Sequence, residues 1–190
     1  GFCDALDGLS ARGTTPEKVT LLGKVATVDG VDSRQYLRRR SAAWPVPIEI
    51  VDRLDRDAAL GYLCGDGRLA VLPSRIDNLP LTVLECLWAS IPFVSSDTGG
   101  IPEMVAPADQ ARTLSPLRGD LLADLLGNAL RDGARPASFA TAPGATERAW
   151  VRWHEQYAGR AARPPRQHTS SRRLPLVSVC LTHRNRPAML

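Results

Sequence analysis

The sequence predicts an α/β fold, in which a parallel sheet is covered by helices on both faces. Two observations lead to this prediction. Short apolar segments of strand length alternate along the 190-residue chain with segments whose apolar residues recur at helical spacing. The links between them are short, as in sheets built from successive strand–helix–strand units. We expect four to five strands in one domain, followed by a C-terminal appendage.

The predicted strands are short apolar runs bounded by turn-forming residues. They are residues 18–24, 48–51, 69–72, 92–96 and, with a weaker pattern, 111–114. A helix precedes the first of them, whereas a doubly wound sheet normally opens on a strand. The sequence also opens on glycine rather than on Met. We therefore expect the chain to be a piece of a longer protein, with the first strand of the sheet outside it.

The predicted helices begin at capping residues or at proline and end near glycine. The expected N-caps are Asp32 or Ser33 for the second helix, Asp55 for the third and Ser115 for the fifth. In order, the helices are one from Phe2 that stops at Gly13, then 32–43, 55–63, 80–89, 116–132 and 145–158.

Three aromatic side chains lie at helical spacing on the last predicted helix. They are Trp150, Trp153 and Tyr157, at positions i, i+3 and i+7. This spacing places them on one face, and it favours packing in the core. The alternative is a partly exposed stripe, whose covering surface belongs to a part of the protein outside this sequence.

Charge divides the chain into two parts. Residues 1–147 hold 15 basic and 19 acidic side chains, whereas residues 148–190 hold nine basic side chains and one acidic one. The net charge of +4 therefore combines a slightly acidic body with a strongly basic C-terminal part. A uniformly basic nucleic-acid-binding surface is excluded for the body, and we expect no nucleic acid as a partner.

The sequence contains no transmembrane segment, because it has no run of about 18 apolar residues. Its four cysteines lie far apart, and Cys64 and Cys86 lie within apolar segments. We expect buried free thiols in a cytoplasmic protein, since disulfides are rare in reducing compartments. The three histidines all lie in the last 40 residues, without ligand spacing to Cys or acids. We therefore expect no metal site, and we also expect no cofactor.

The C-terminal part predicts a linker and the beginning of another domain. Residues 159–173 lack a hydrophobic period and are rich in Arg, Pro and Ser, which is typical of a flexible spacer. Such a basic spacer can also contact anionic lipid at the inner face of a membrane. Residues 174–182 are strand-like, but a lone strand is not stable. We expect a globular lobe over 1–158 and a truncated second domain over 174–190.

The first candidate binding segment is the loop 73–79, which follows a predicted strand. Ligands of open parallel sheets bind beyond the carboxyl ends of the strands. The loop leads into the helix that begins at Pro80. The free amides near Leu81 and Thr82, together with the helix dipole, are suited to bind a diphosphate.

Two acids accompany this loop. Glu85 is the only charged residue between Leu79 and Phe93, so we expect a mostly buried carboxylate that needs a partner. Thr82 shares its helix face, which places Glu85 where ribose hydroxyls could bind. Asp77 lies eight positions earlier, in the loop itself. The alternative is that Asp77 is a simple helix-start acid and Glu85 a satisfied core acid, and the spacing does not decide between them.

The second candidate segment is the loop 97–100, which follows the strand 92–96 and leads into a short helix. It contains Gly99 and Gly100. Two glycines permit a close approach of the backbone to a ligand. The alternative is that they only form a turn.

Together these segments carry an ordered pattern. Pro73-Ser74 is followed by Asp77, seven residues and Glu85, then by Pro92-Phe93-Val94 and by the segment 99–103, which reads Gly-Gly-Ile-Pro-Glu. The pattern resembles the C-terminal, donor-binding lobe of retaining family 4 glycosyltransferases, which have the GT-B fold. The resemblance implies a Rossmann-like lobe that binds a nucleotide-diphosphate sugar and belongs to an enzyme that transfers the sugar to an acceptor with retention.

The resemblance also implies roles for residues. Asp77 would contact the sugar hydroxyls, although it is one methylene shorter than the usual Glu, and Glu85 would bind the ribose. The family's basic pair and its N-terminal acceptor lobe would precede Gly1, so we expect this lobe alone to be inactive and its partner to be that lobe of the same parent chain. The implied donor-binding residues are Ser74, Asn78, Leu79, Pro80, Leu81, Thr82, Gly99 and Gly100.

The end of the sequence carries a second, shorter resemblance. Residues 176–182 read Leu-Val-Ser-Val-Cys-Leu-Thr, and Asn185-Arg186-Pro187 follow. This segment is similar to the opening strand of family 2 glycosyltransferases of the GT-A type. The resemblance implies a parent in which two transferases are fused.

Two other functions remain open. A GT-B-type sugar epimerase would need a different set of acids and histidines, and no His occurs before His154. A non-catalytic lobe that scaffolds a neighbouring transferase, or that docks on a membrane through its basic tail, is favoured by Asp77 in place of Glu.

Overall fold

The computed structural model describes residues 1–28, 30–142 and 144–161. The chain divides after Glu147 into two compact units, of which the first comprises Gly1–Glu147 and the second begins at Arg148. Seven strands are described: β1 (Val19–Leu22), β2 (Thr27–Val28), β3 (Val31–Asp32), β4 (Ile48–Val51), β5 (Ala70–Leu72), β6 (Phe93–Ser96) and β7 (Leu114–Ser115).

Eight helices are described, and most of them lie between strands. They are α1 (Phe2–Ala11), α2 (Ser33–Ser41), α3 (Arg56–Leu63), α4 (Leu81–Trp88), α5 (Ile101–Met104), α6 (Pro107–Thr113), α7 (Gly119–Asp132) and α8 (Ala145–Ala161). Two predicted N-caps are confirmed. Asp32 accepts the amides of Arg34 and Gln35, and Asp55 accepts that of Ala58. Each satisfies amides that a helix start leaves without a partner.

The predicted α/β fold with helix-flanked parallel strands is confirmed. Strand β1 pairs in parallel with β4, and β5, β6 and β7 form a second parallel sheet in that order. The described strands therefore form two parallel sheets rather than one continuous sheet. An antiparallel hairpin, β2–β3, was not predicted, because two-residue strands have no readable period.

One core joins the two parallel sheets to the same pair of helices. Helix α1 packs on α7 through Leu9 and Leu122, which are 1% and 2% exposed. Val19 of β1 and Val94 of β6 belong to the same cluster. A second cluster lies around α4, where Val83 is fully buried. Apolar burial on this scale is the main stabilising contribution to the fold.

After residue 106, the predicted strand 111–114 and the predicted N-cap Ser115 are wrong. The predicted strand 111–114 lies mostly in α6, which begins at Pro107, and only Leu114–Ser115 pair with β6. Ser115 is therefore a strand residue rather than an N-cap, and its hydroxyl donates to the carbonyl of Pro116. Helix α7 begins later than predicted, at Gly119, and ends as predicted at Gly133, which has a φ of +79°.

The predicted core packing of the aromatic stripe on α8 is wrong. Trp150, Trp153 and Tyr157 are 64%, 52% and 59% exposed. They stack on one another along the helix, with ring centroids 5.8 Å and 5.1 Å apart, and His154 contacts both tryptophans edge-on. Helical spacing determines which residues share a face, but it does not determine what covers that face.

The cysteines differ in exposure. Cys86 is buried, as predicted, whereas Cys64 is exposed at the end of α3, which contradicts the prediction of a buried thiol. Burial raises the pKa of the Cys86 thiol to about 12, and the neighbouring Glu85 carboxylate contributes to the shift. Cys180 lies outside the described residues.

At about pH 8, an aromatic disulfide that reacts with thiols is expected to modify Cys64 readily and to leave Cys86 unmodified in the folded chain. Cys86 is protected because it is buried and its thiol does not ionise at this pH. Peptide mass spectrometry would locate the label residue by residue. In urea, Cys86 should react as fast as Cys64. Equal rates for the two thiols in the native protein would contradict the burial of Cys86.

Within the residues that the structure describes, no helix combines the length and apolar character that a membrane crossing requires. The same residues bring together no group of three or more His, Cys, Asp or Glu side chains that could hold a metal ion.

Candidate functional site

The loop 73–79 follows β5, and hydrogen bonds hold its start to the neighbouring strand β6. The hydroxyl of Ser95 donates to the carbonyl of Leu72 at 3.0 Å, and that of Ser96 donates to the carbonyl of Ser74 at 2.6 Å. Thr98 adds a second bond to the Ser74 carbonyl at 3.1 Å. Because Ser95 and Ser96 are almost fully buried, these bonds satisfy polar groups that would otherwise be costly. The carboxyl end of β6 thereby positions the start of the loop.

The two predicted loops pack directly on each other. The amide of Gly100 donates to the carbonyl of Asp77 at 3.3 Å. A Cβ atom at Gly99 would lie 1.7 Å from the carbonyl oxygen of Asp77, and one at Gly100 would lie 1.9 Å from that of Asn78. Gly99 also has a φ of +60°. The close approach that these glycines permit is thus an approach to loop backbone, and their predicted contact with a donor stays a prediction.

The side chains of the loop remain accessible although its backbone is held. Asp77 is half-buried, and the described residues give its carboxylate neither a hydrogen bond nor an ion pair. Ser74 is half-buried, Asn78 is exposed, and Leu79 is 63% exposed. The loop therefore presents the side chains of Arg75, Asp77 and Asn78 on a fixed backbone.

The N-terminus of α4 leaves two backbone donors without a partner among the described residues. Pro80 is the N-cap, and its carbonyl accepts the amides of Val83 and Leu84 at 3.2 Å each. The amides of Leu81 and Thr82 have no such bond. Both side chains are exposed, so this helix end is accessible. Free amides and the helix dipole together favour an anion.

Glu85 has the partner that its burial requires. Its side chain is only 14% exposed, and its Oε1 accepts a hydrogen bond from Nε of Arg56 at 2.5 Å. Arg56 is the first residue of α3 and is 66% exposed. The Glu85 carboxylate raises the pKa of Arg56. The pair connects a shielded acid on α4 to the surface at the start of α3.

A comparison with known families decides to which family the chain belongs. Residues 2–132 match the model of the glycosyl transferases group 1. The chain belongs to this family. A segment of 66 residues is also 32% identical to an alpha-D-kanosaminyltransferase from Streptomyces kanamyceticus. That match covers 35% of this chain and 17% of the relative, so the chain spans a small part of the relative's length.

The part of the chain that matches the group 1 glycosyl transferases contains both loops, α4 and Arg56. Sequence reasoning missed Arg56 as a site residue. A signal did exist, because a shielded acid needs a partner and Arg56 lies at a helix start that follows the strand β4. The predicted opening strand of a second transferase lies outside the described residues.

Three further basic side chains of this group 1 glycosyl transferase follow carboxyl ends of parallel strands. Lys24 follows β1, Arg53 follows β4 and Arg75 follows β5. All three are exposed, and the described residues give none of them an ion pair. They were not predicted as site residues, and they add positive charge at the strand ends where ligands of such sheets bind.

Proposed function

We propose that this chain is the donor-binding lobe of a retaining glycosyltransferase of the family 4 type, which uses a nucleotide-diphosphate sugar. One observation carries the proposal. A shielded carboxylate, Glu85, lies one helical turn after the two partner-free amides of Leu81 and Thr82. A ribose diol next to a diphosphate has the complementary chemistry, because its hydroxyls donate to a carboxylate and its phosphates accept from amides.

In this proposal Glu85 binds the ribose. The described residues engage its Oε1 through Arg56 and give Oε2 no hydrogen bond. A carboxylate oxygen without a partner in a poorly solvated position gains more from a hydroxyl donor than an exposed one does.

The diphosphate then lies at the start of α4. The amides of Leu81 and Thr82 are the donors, with the hydroxyl of Ser74 and the segment 78–80 beside them. Gly99 and Gly100 pack against the backbone of Asp77 and Asn78 and so hold this segment in place. Amides fixed before the ligand arrives need little reorganisation, which is what makes them effective against developing charge on a leaving diphosphate.

Asp77 is the acid that we propose for the donor sugar. Its carboxylate has no partner among the described residues and lies in the loop that precedes α4. Sugar hydroxyls are natural donors to such a group. Transfer itself needs an acceptor, and we propose that an N-terminal lobe of the same parent chain binds it. The Arg-rich segment 159–173 is the proposed contact with the inner face of a membrane.

Isothermal titration of the 190-residue chain with UDP, GDP, ADP and dTDP tests the proposal. At least one of them is expected to bind, and Glu85→Gln is expected to weaken that binding about tenfold or more, because hydrogen bonds to charged groups are the strong ones. Glu17→Gln is the matched control, since Glu17 is exposed and has no ion pair among the described residues. Equal affinities of the Glu85→Gln variant and the unaltered chain would contradict the ribose role of Glu85.

A further inference from the structure

We propose that Arg56 is a positioning residue of the donor site, which holds Oε1 of Glu85 so that Oε2 remains for the ribose hydroxyls. This inference rests on the proposed function of Glu85. It assigns a role to a residue of α3, which lies outside both loops of the site and 29 positions before Glu85 in the chain.

The geometry of the pair supports a positioning role. Nε of Arg56 donates to Oε1 of Glu85 at 2.5 Å, and because both groups are charged the hydrogen bond is charge-assisted. Arg56 engages Oε1 alone among the two oxygens of Glu85, and its Nη1 is directed to Asp57 at 3.4 Å. A carboxylate held at one oxygen loses its rotational freedom and keeps the acceptor capacity of the other oxygen.

The position of Arg56 is itself fixed by the start of α3. Asp55 is the N-cap and accepts the amide of Ala58 at 2.8 Å, so the first helical residue has a defined backbone conformation. The exposures of the two partners are unequal, at 66% for the Arg56 side chain and 14% for Glu85. The shielded acid therefore depends on this bond more than the solvated base does.

A structural salt bridge and a positioning residue make different predictions. A bridge that only supports the fold would change stability and leave the discrimination between nucleotides unchanged. A residue that acts through Glu85 would change affinity only for ligands whose ribose hydroxyls reach Glu85, and only while Glu85 is present.

The test is a double-mutant cycle on the 190-residue chain, with the nucleoside diphosphate that binds best among UDP, GDP and ADP, and with its 2′,3′-dideoxy counterpart. Arg56→Gln is expected to weaken binding of the ribonucleotide about fivefold and to leave the dideoxynucleotide unchanged. In a Glu85→Gln background, Arg56→Gln should change affinity less than about twofold. Arg56→Lys should restore part of the affinity, because Lys keeps the charge but not the planar fork.

Arg131→Gln is the control, since Arg131 lies on α7 and bonds to Asn128 there. Circular dichroism would verify that each variant is folded, which the exposure of Arg56 leads us to expect. If Glu85→Gln weakens binding and Arg56→Gln does not, the positioning role is wrong while the proposed function stands. If Arg56→Gln weakens both nucleotides equally, the positioning role is also wrong. If Glu85→Gln does not weaken binding, the proposed ribose role of Glu85 is wrong, and the positioning role of Arg56 is wrong with it.

Discussion

Replacing Gly99 with alanine is expected to destabilise the first unit by about 2–4 kcal/mol, because overpacking and a strained backbone conformation act together. The added Cβ would lie 1.7 Å from the carbonyl oxygen and 2.7 Å from the carbonyl carbon of Asp77. Alanine has no rotamer that avoids a backbone neighbour, so the loop 73–79 must move. Under the proposed function, the affinity for nucleoside diphosphates should fall as well, because the loop precedes the helix start that we propose for the diphosphate. Urea-induced unfolding, followed by tryptophan fluorescence, measures the first effect.

Three other glycines separate the causes. Gly13 has a φ of +65° with nothing within 4 Å of a Cβ, so Gly13→Ala isolates the cost of the backbone conformation. Gly100 has a φ of −85° and a Cβ position 1.9 Å from a carbonyl oxygen, so Gly100→Ala isolates the clash. Gly61 lies inside α3 with neither feature, and Gly61→Ala should be neutral or stabilising by about 0.5–1 kcal/mol. A Gly99→Ala chain as stable as Gly61→Ala would contradict the packing of the two loops.

Leu9→Ala is expected to reduce the free energy of unfolding by about 2–5 kcal/mol, the usual range for a fully buried leucine. Leu9 is a residue of α1, is 1% exposed and faces α7, where its Cδ2 atom lies 3.5 Å from the position of a Cβ at Gly127. Because the total stability of a domain is only about 5–15 kcal/mol, the loss should be visible as a large shift of the urea midpoint.

Leu130→Ala is the matched control for Leu9→Ala. Leu130 lies on α7 but is 37% exposed, so its removal should cost less than about 1 kcal/mol. Similar losses for the two variants would mean that α1 does not dock on α7 through Leu9.

Most of the fold could be predicted because its signals are local. The N-caps Asp32 and Asp55 are recognised from neighbouring residues alone, and the strand 48–51 agrees with β4. Local signals failed where pairing decided the structure. Thr113 ends a helix and Ser115 belongs to a strand. Ser115 is in a strand because the edge of β6 provides backbone hydrogen bonds to it, and the local sequence does not indicate this pairing.

The sequence predicted the loops and acids of the candidate site, but it did not predict which groups contact one another. A glycine pair in a loop indicates close approach, but it does not tell whether the neighbour is a ligand or, as at Gly99, the backbone of Asp77. The need of Glu85 for a partner followed from burial alone. The identity of that partner did not, because the spatial neighbourhood of Arg56 and Glu85 depends on how α3 and α4 pack.

The hydrogen bonds and packing contacts that hold the backbone of the loop 73–79 affect how the proposed ligand specificity can change. Hydroxyls of β6 bond to the carbonyls of Leu72, the last residue of β5, and of Ser74, and the two glycines contact the carbonyls of Asp77 and Asn78. Every residue type has a carbonyl, so the anchoring does not depend on the side chains that the loop carries. We therefore expect that the exposed side chains at positions 75, 78 and 79 can be replaced while the backbone conformation of the loop is retained. Under the proposed function, grafting these positions from another member of the family is expected to alter the preference for the donor sugar while the fold of the lobe is retained.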